Sequence, residues 1–211
     1  EKNPIQVLVG GSGLYVDAVL KGLDEFPKVD PSVREQLNST FAEKGLEFLQ
    51  NQLKELDLAT YNDIAIDNPQ RVMRALEVCI GSGTPYSTFK NKPKTPRTFN
   101  SIKIGLQADR TQIYDRINRR VDLMMESGLL DEAKKVFPYK EKNALQTVGY
   151  RELFRYLEGM FSFDFAVEEI KKNTRRFAKR QMTWFQKDVD THWFDFQDNK
   201  KEIANTIEKM L

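Results

Sequence analysis

The stretch Ile5–Gln6–Val7–Leu8–Val9–Gly10–Gly11–Ser12–Gly13–Leu14 decides the fold class of this chain. Ile5 to Val9 is a short apolar, β-branched run, the composition of a buried strand. Gly10 to Gly13 turns the chain. Leu14, Ala18 and Val19 then recur at helical spacing up to Gly22. Strand, glycine turn and helix make half of a βαβ unit. A glycine turn that feeds a helix start exposes backbone N–H groups at the positive end of the helix dipole, so an anion can sit there. The same residues also fit an ordinary tight βα connection. They match neither G-x-x-x-x-G-K-S/T nor G-x-G-x-x-G.

Outward from this unit, Phe26–Pro27 and Asp30–Pro31 break the pattern. Ser32 to Leu58 is helical and polar, with an apolar stripe at Leu46, Leu49, Leu53 and Leu56. Asn68–Pro69 opens a further helix: Asn caps and Pro takes the first turn. Val72, Leu76, Cys79 and Ile80 form its buried face, Gly81 and Gly83 end it, and Lys90 to Pro96 is a loop. Ser101 to Gln107 alternates and reads as a strand. Asp109 with Gln112 has the spacing of a capping box, opening a helix to about Ser127. Gly128 stops it, and Leu129 to Phe137, Thr147 to Leu157 and Ala166 to Lys187 are three more helices. His192 to Phe196 is a last strand, and Asp198 caps a terminal helix. Strands near both ends of the chain flank a polar helical stretch. The expected organisation is therefore an α/β core, residues 1–27 and 99–211, with a helical insertion domain over 28–98.

Composition excludes several function classes. The 211 residues carry 33 Lys+Arg against 31 Asp+Glu, a formal net charge of +2, so any nucleic-acid site must come from local clustering of charge. No apolar run approaches the ~18 residues of a membrane span. One cysteine and one histidine leave no disulfide framework and no Cys/His zinc cluster. Cys79 reads as a small buried hydrophobe and His192 as structural. A reducing cytoplasm is the default compartment. The chain opens on Glu1 and runs at once into a core strand, so it is expected to be a fragment.

Charge does cluster locally. Helical residues advance ~100° each, so with Ile113 as origin, Ile117, Met124 and Val121 fall within roughly 80° and Arg120 within roughly 20° on the other side. Arg120 is expected to point into the apolar stripe. There it meets either an ordinary carboxylate or a phosphate, or its stem snorkels outward. Between Lys171 and Lys187 there is no acid. Lys171, Lys172, Arg175, Arg176, Lys179, Arg180 and Lys187 span an arc of roughly 180°, opposite Phe177, Trp184 and Phe185. Such a face fits a phosphate backbone better than a mixed solvated surface. Arg71 and Arg74 lie early in the helix that Asn68 caps, against its dipole, a placement that a bound polyanion would tolerate and that also arises by chance.

Five blocks in order, LVGGSGLY (Leu8 to Tyr15), DNPQRVMRALEV (Asp67 to Val78), RINRRVDLMMESGLLDE (Arg116 to Glu132), VGYRELFRYLEG (Val148 to Gly159) and RRFAKRQMTWF (Arg175 to Phe185), resemble the tRNA dimethylallyltransferase (tRNA isopentenyltransferase) family of bacterial type. The resemblance covers nearly the whole chain. It implies a P-loop-NTPase-like parallel sheet with a helical insertion. It also implies transfer of a dimethylallyl group from dimethylallyl diphosphate to N6 of the adenosine next to the anticodon on its 3′ side, the base being flipped out. The partners implied are the tRNA anticodon stem-loop and dimethylallyl diphosphate, with no membrane, and a monomer is expected. Ser12 matches a position usually held by threonine near the reacting amine, and Arg120 an arginine near the diphosphate. Arg34, Gln70, Arg71, Val72, Met73 and Arg74 match tRNA-contacting positions. So do Gln146, Thr147, Val148, Gly149, Tyr150 and Arg151, and, with Ser12, Lys179, Arg180, Gln181, Met182, Thr183, Trp184, Phe185 and Gln186. Gln146 and Gln186 stand where some members carry arginine. The family's nucleotide-binding P-loop, its Mg²⁺ ligands and its general-base aspartate have no counterpart here. The chain therefore reads as lacking about 90–100 residues at its start and as inactive by itself, with Mg²⁺ expected in the intact enzyme. Two rival readings are an adenylate isopentenyltransferase acting on free AMP or ATP, and a module that only binds tRNA.

Overall fold

The computed structural model describes residues 4–92 and 96–211. Residues 93–95 of the expected loop Lys90 to Pro96 lie outside the described residues. Contacts divide the chain into two units, Glu1–Val16 with Phe99–Leu211, and Asp17–Thr98. The boundary falls after Val16 rather than after residue 27, because Phe26 stacks on Tyr86 at 4.7 Å and Arg97 donates to the Ala18 carbonyl at 2.9 Å.

The unit Asp17–Thr98 is helical. Helix α1 (Gly13–Lys21) runs into it, followed by α2 (Pro31–Leu56), α3 (Leu58–Asp63), α4 (Pro69–Ser82) and a 3₁₀ turn, Tyr86–Phe89. Asp30 caps α2, Pro31 takes its first turn, and the helix bends at Gly45. Asn68 caps α4 by accepting from Gln70 and Arg71 N–H, with Pro69 in the first turn as the sequence predicts. Gly83, in the left-handed region, stops it, and Gly81 lies inside the helix. The core joins Leu49 and Leu53 of α2 to Val72, Leu76 and Cys79 of α4. Two expected members face outward: Leu56 is 43% exposed and Ile80 is 41% exposed. The helix expected to reach Leu58 ends at Leu56, because Asp57 both closes α2 and caps α3.

The other unit is α/β. Strands β1 (Lys103–Gln107) and β2 (Thr191–Asp195) pair in parallel, Lys103 opposite Thr191 and Gln107 opposite Asp195. Between them come α5 (Arg110–Glu126), α6 (Leu129–Val136), α7 (Tyr150–Leu157) and α8 (Phe163–Phe185), and α9 (Lys200–Glu208) closes the chain. A long helical crossover is what parallel pairing requires. Val121, Leu129, Ala133, Leu153, Phe154 and Ile170 form this unit's core.

Four expectations are corrected. Ile5–Val9 has no strand partner among the described residues, and Val7 and Val9 are 83% and 87% exposed. Its composition suits a sheet interior, but strand structure needs a neighbour to take its N–H and C=O groups. Asp109 makes no side-chain cap bond to α5. Asn199 rather than Asp198 caps α9, since the Asp198 carboxylate accepts from Asp195 N–H. Helix α7 begins at Tyr150, not Thr147, because Gly149 takes φ 105° and ψ −65°, a backbone reserved for glycine.

Candidate functional site

The glycine turn and the end of α8 meet. The Gln181 amide donates to the Gly11 carbonyl at 2.7 Å. A Cβ on Gly13 would lie 2.2 Å from Trp184 Cδ1, so the indole packs directly on the turn's backbone. Between these two contacts the Ser12 carbonyl starts α1 by accepting from Tyr15 and Val16 N–H, and Ser12 itself is exposed. Two sequence blocks thus converge, Ser12 on one side and Lys179–Gln186 on the other. Neither Gln181 nor Trp184 carries a local signal for this contact, which spans most of the chain; the sequence places both in a basic helix and pairs neither with the turn.

The basic face of α8 is split. Its N-terminal half is neutralised: Lys171 sits between Asp122 at 2.8 Å and Glu168 at 3.0 Å, and Lys172 pairs with Glu169 at 2.6 Å. The bonds to Asp122 and Glu168 push the Lys171 ammonium above its ordinary value. Arg175 turns toward α5, where it donates to Asn118 at 2.6 Å. Beyond it, Arg176, Lys179, Arg180 and Lys187 are exposed and have no acidic partner among the described residues. The aromatic arc is not buried either, since Phe177 is 44% and Trp184 43% exposed. The continuous ridge expected over Lys171–Lys187 is therefore an exposed cationic and aromatic end from Arg176 onward.

Arg120 departs from expectation. It is exposed and makes no hydrogen bond or ion pair among the described residues. The buried side of α5 is set by Val121, with Met125 beside it, whereas Met124 faces solvent. Those two lie roughly 100–140° around the helix from Arg120, and Ile113 and Met124 mislocate the centre of the stripe. An ordinary buried carboxylate pair is thereby ruled out among the described residues.

Within each block expected to contact tRNA, outward and inward residues separate. In Gln70–Arg74, Val72 and Met73 are buried core residues, which leaves Gln70, Arg71 and Arg74 exposed. Arg34 donates to Gln70 at 2.5 Å and pairs with Glu77 at 3.2 Å, and Arg74 holds the other Glu77 oxygen at 2.9 Å. In Gln146–Arg151, Val148 and Tyr150 pack on the core and Gly149 is buried, while Gln146, Thr147 and Arg151 are outside. The Tyr150 hydroxyl donates to Glu132, and that bond raises its pKa. Asp57, buried under α3, is different in kind. Burial alone would push its carboxyl up, but hydrogen bonds from Thr60 and Ser87 outweigh it and hold the group below its ordinary value. Burial likewise raises the Cys79 thiol, in keeping with an inert core residue.

No group of three or more His, Cys, Asp or Glu among the described residues is placed to hold a metal ion, so the carboxylates described do not fit a Mg²⁺ site of this chain's own. No described helix is long and apolar enough to cross a membrane.

The α/β unit pairs a parallel sheet with a helical crossover and carries an exposed cationic and aromatic helix end against a glycine turn, chemistry that suits a phosphate-rich ligand. The chain is a member of the IPP transferase family, whose model matches residues 1–188. It is 55% identical over 217 residues to a protein of Flavobacterium johnsoniae named tRNA dimethylallyltransferase, which covers 100% of this chain and 70% of that one. Among solved structures, the full-length tRNA isopentenylpyrophosphate transferase of Bacillus halodurans aligns with a TM-score of 0.57 and 35% identity, over 94% of this chain and 62% of its own. A eukaryotic dimethylallyltransferase acting on tRNA shares the fold, with a TM-score of 0.72 at 22% identity, over 95% of this chain and 55% of its own.

Proposed function

We propose that this chain serves tRNA prenylation: transfer of a dimethylallyl group from dimethylallyl diphosphate to N6 of the adenosine on the 3′ side of the anticodon. The observation that carries this reading is the contact of the glycine turn around Ser12 with Gln181 and Trp184, on the same helix that carries the exposed cations Lys179 and Arg180. In this reading the cations hold the stem-loop backbone, where binding is largely electrostatic. Trp184, half exposed, offers a stacking surface for an unstacked base. The Ser12 hydroxyl lies open at the turn to hydrogen-bond the adenine edge. Arg120, exposed and without a carboxylate, is free to meet the diphosphate leaving group. Mg²⁺ belongs to the same proposal, but no step here runs through it. The names of the relatives favour tRNA over free AMP or ATP as acceptor. Cytoplasmic location follows from such a substrate.

The test is filter binding of a tRNA anticodon stem-loop to the chain, with Lys179→Ala and Arg180→Ala as variants. Each substitution should weaken binding several-fold and flatten its salt dependence by about one unit of slope. An unchanged slope removes the cationic end of α8 from the interface. Free ATP that displaces the stem-loop at equal phosphate concentration would favour the nucleotide acceptor instead.

A further inference from the structure

A second cationic site lies away from the glycine turn. Helices α7 and α8 pack together, and a polar depression of about 270 Å³ opens along their contact. Arg151 and Arg155 reach it from α7 and Arg176 from α8. None of the three pairs with a carboxylate among the described residues. Arg155 lies over the Phe161 ring at 5.4 Å, and Arg176 donates to Asn173 Oδ1 at 3.3 Å.

Two carboxylates also line the depression, and both are already engaged. Glu169 holds Lys172 at 2.6 Å. Glu152, only 5% exposed, accepts from Gly149 N–H at 2.8 Å through one oxygen and from Asn173 Nδ2 at 2.9 Å through the other. Asn173 therefore links the two helices, accepting from Arg176 and donating to Glu152. The buried carboxylate is committed to shaping the Gly149 turn, and the guanidinium groups remain to be matched. Three guanidinium groups share the hollow with two carboxylates, one of which is already paired with Lys172, so positive charge is in excess there and favours an incoming anion. Arginine's planar fork suits phosphate oxygens.

We infer that this depression binds a backbone phosphate of the RNA, with Arg155 and Arg176 as contact residues outside Gln146–Arg151 and Lys179–Gln186. The inference rests on the proposed tRNA function. Continuity favours RNA over a free anion: Arg176 lies one turn before Lys179 and Arg180 on α8, and Arg151 ends the block Gln146–Arg151. The hollow thus extends the same exposed cationic surface.

Anisotropy titrations of the 211-residue chain with a tRNA stem-loop, repeated across KCl concentrations, test this. Arg155→Gln and Arg176→Gln should each weaken binding about 3- to 10-fold, and each should lower the salt slope by about 0.7–0.9. Lys201→Gln on α9 removes a charge elsewhere and should lower affinity less than either. Arg155→Lys should keep the salt slope. Circular dichroism melts identify any variant that has lost its fold, and Arg155→Lys then carries the comparison. If the wild type binds with a steep salt slope and the double variant binds identically, the inference is overturned while the proposed function stands. If the wild type does not bind tRNA, both fall. Calorimetry with inorganic phosphate separates the sources: phosphate binding lost in the double variant, with tRNA affinity unchanged, would make this a free-anion site and overturn the RNA assignment.

Discussion

Gly13 is occupied at the position where its side chain would be. Any Cβ there would lie within 2.2–2.7 Å of three atoms of the Trp184 indole, whereas a Cβ on Gly10 meets nothing within 4 Å. Alanine at the two positions should therefore behave differently, although the sequence presents both as members of one glycine run. Gly13→Ala should expel the indole and shift its fluorescence to longer wavelength, at a cost of about 1–3 kcal/mol in chemical denaturation. Gly10→Ala should leave both readings unchanged. Equal spectra for the two variants would mean that Trp184 does not rest on the turn. Residue-scale legibility is uneven for the same reason. Periodicity gives the identity of a charged helix end but not its orientation to within a quarter turn: Arg120 is displaced from the stripe because only Val121 of that helix is fully buried. Long-range contacts such as Gln181 with Gly11 leave no trace in local spacing at all.

At the scale of elements, Asp57 joins three pieces of the helical unit. Its backbone N–H closes α2 on Leu53 at 2.8 Å, and its carboxylate accepts from Thr60 N–H at 2.9 Å and Thr60 Oγ1 at 2.7 Å. A fourth bond, from Ser87 N–H at 2.7 Å, ties the 3₁₀ turn to the start of α3. Asp57→Ala leaves buried donors without partners and should cost about 2–4 kcal/mol. The pH dependence has a definite sign. The folded-state pKa is depressed, so the stabilisation is complete above the ordinary carboxylate value of ~3.9 and is lost as pH falls through the lower folded value. The melting temperatures of wild type and Asp57→Asn should therefore converge as pH drops from neutral into that range. A gap that stays constant would show that Asp57 acts through shape alone. The helix start at Asn68 is legible in the sequence because a cap followed by proline is a local device, whereas Asp30–Pro31 reads only as a break and is in fact the cap and first turn of α2. The break at Asp57 is less so, since polar periodicity runs straight across it. The strand at Ile5–Val9 fails for the opposite reason: its pattern is right, but a strand is a relation between segments, and the described residues supply no neighbour.

At the scale of the whole molecule, the two units have separate cores. Leu76, fully buried, belongs to the cluster joining α2 and α4, whereas Leu153, equally buried, belongs to the cluster joining α5 to α8. No residue is shared between the two clusters. Cooperativity follows contiguous packing, so disjoint cores make sub-global opening the expected mode of unfolding. Truncating either leucine to alanine costs about 2–5 kcal/mol where the cavity cannot collapse. Hydrogen exchange followed by mass spectrometry reads the consequence region by region. Leu76→Ala should accelerate exchange in α2 and α4 while sparing α7 and α8, and Leu153→Ala should do the reverse. The phosphate-binding surfaces proposed for α7 and α8 would then keep their affinity in Leu76→Ala, because Arg151, Arg155 and Arg176 stand on the undisturbed core. If either variant instead accelerated exchange throughout the chain, the units would be one folding body, and every binding effect of a core substitution would have to be read as loss of the whole structure.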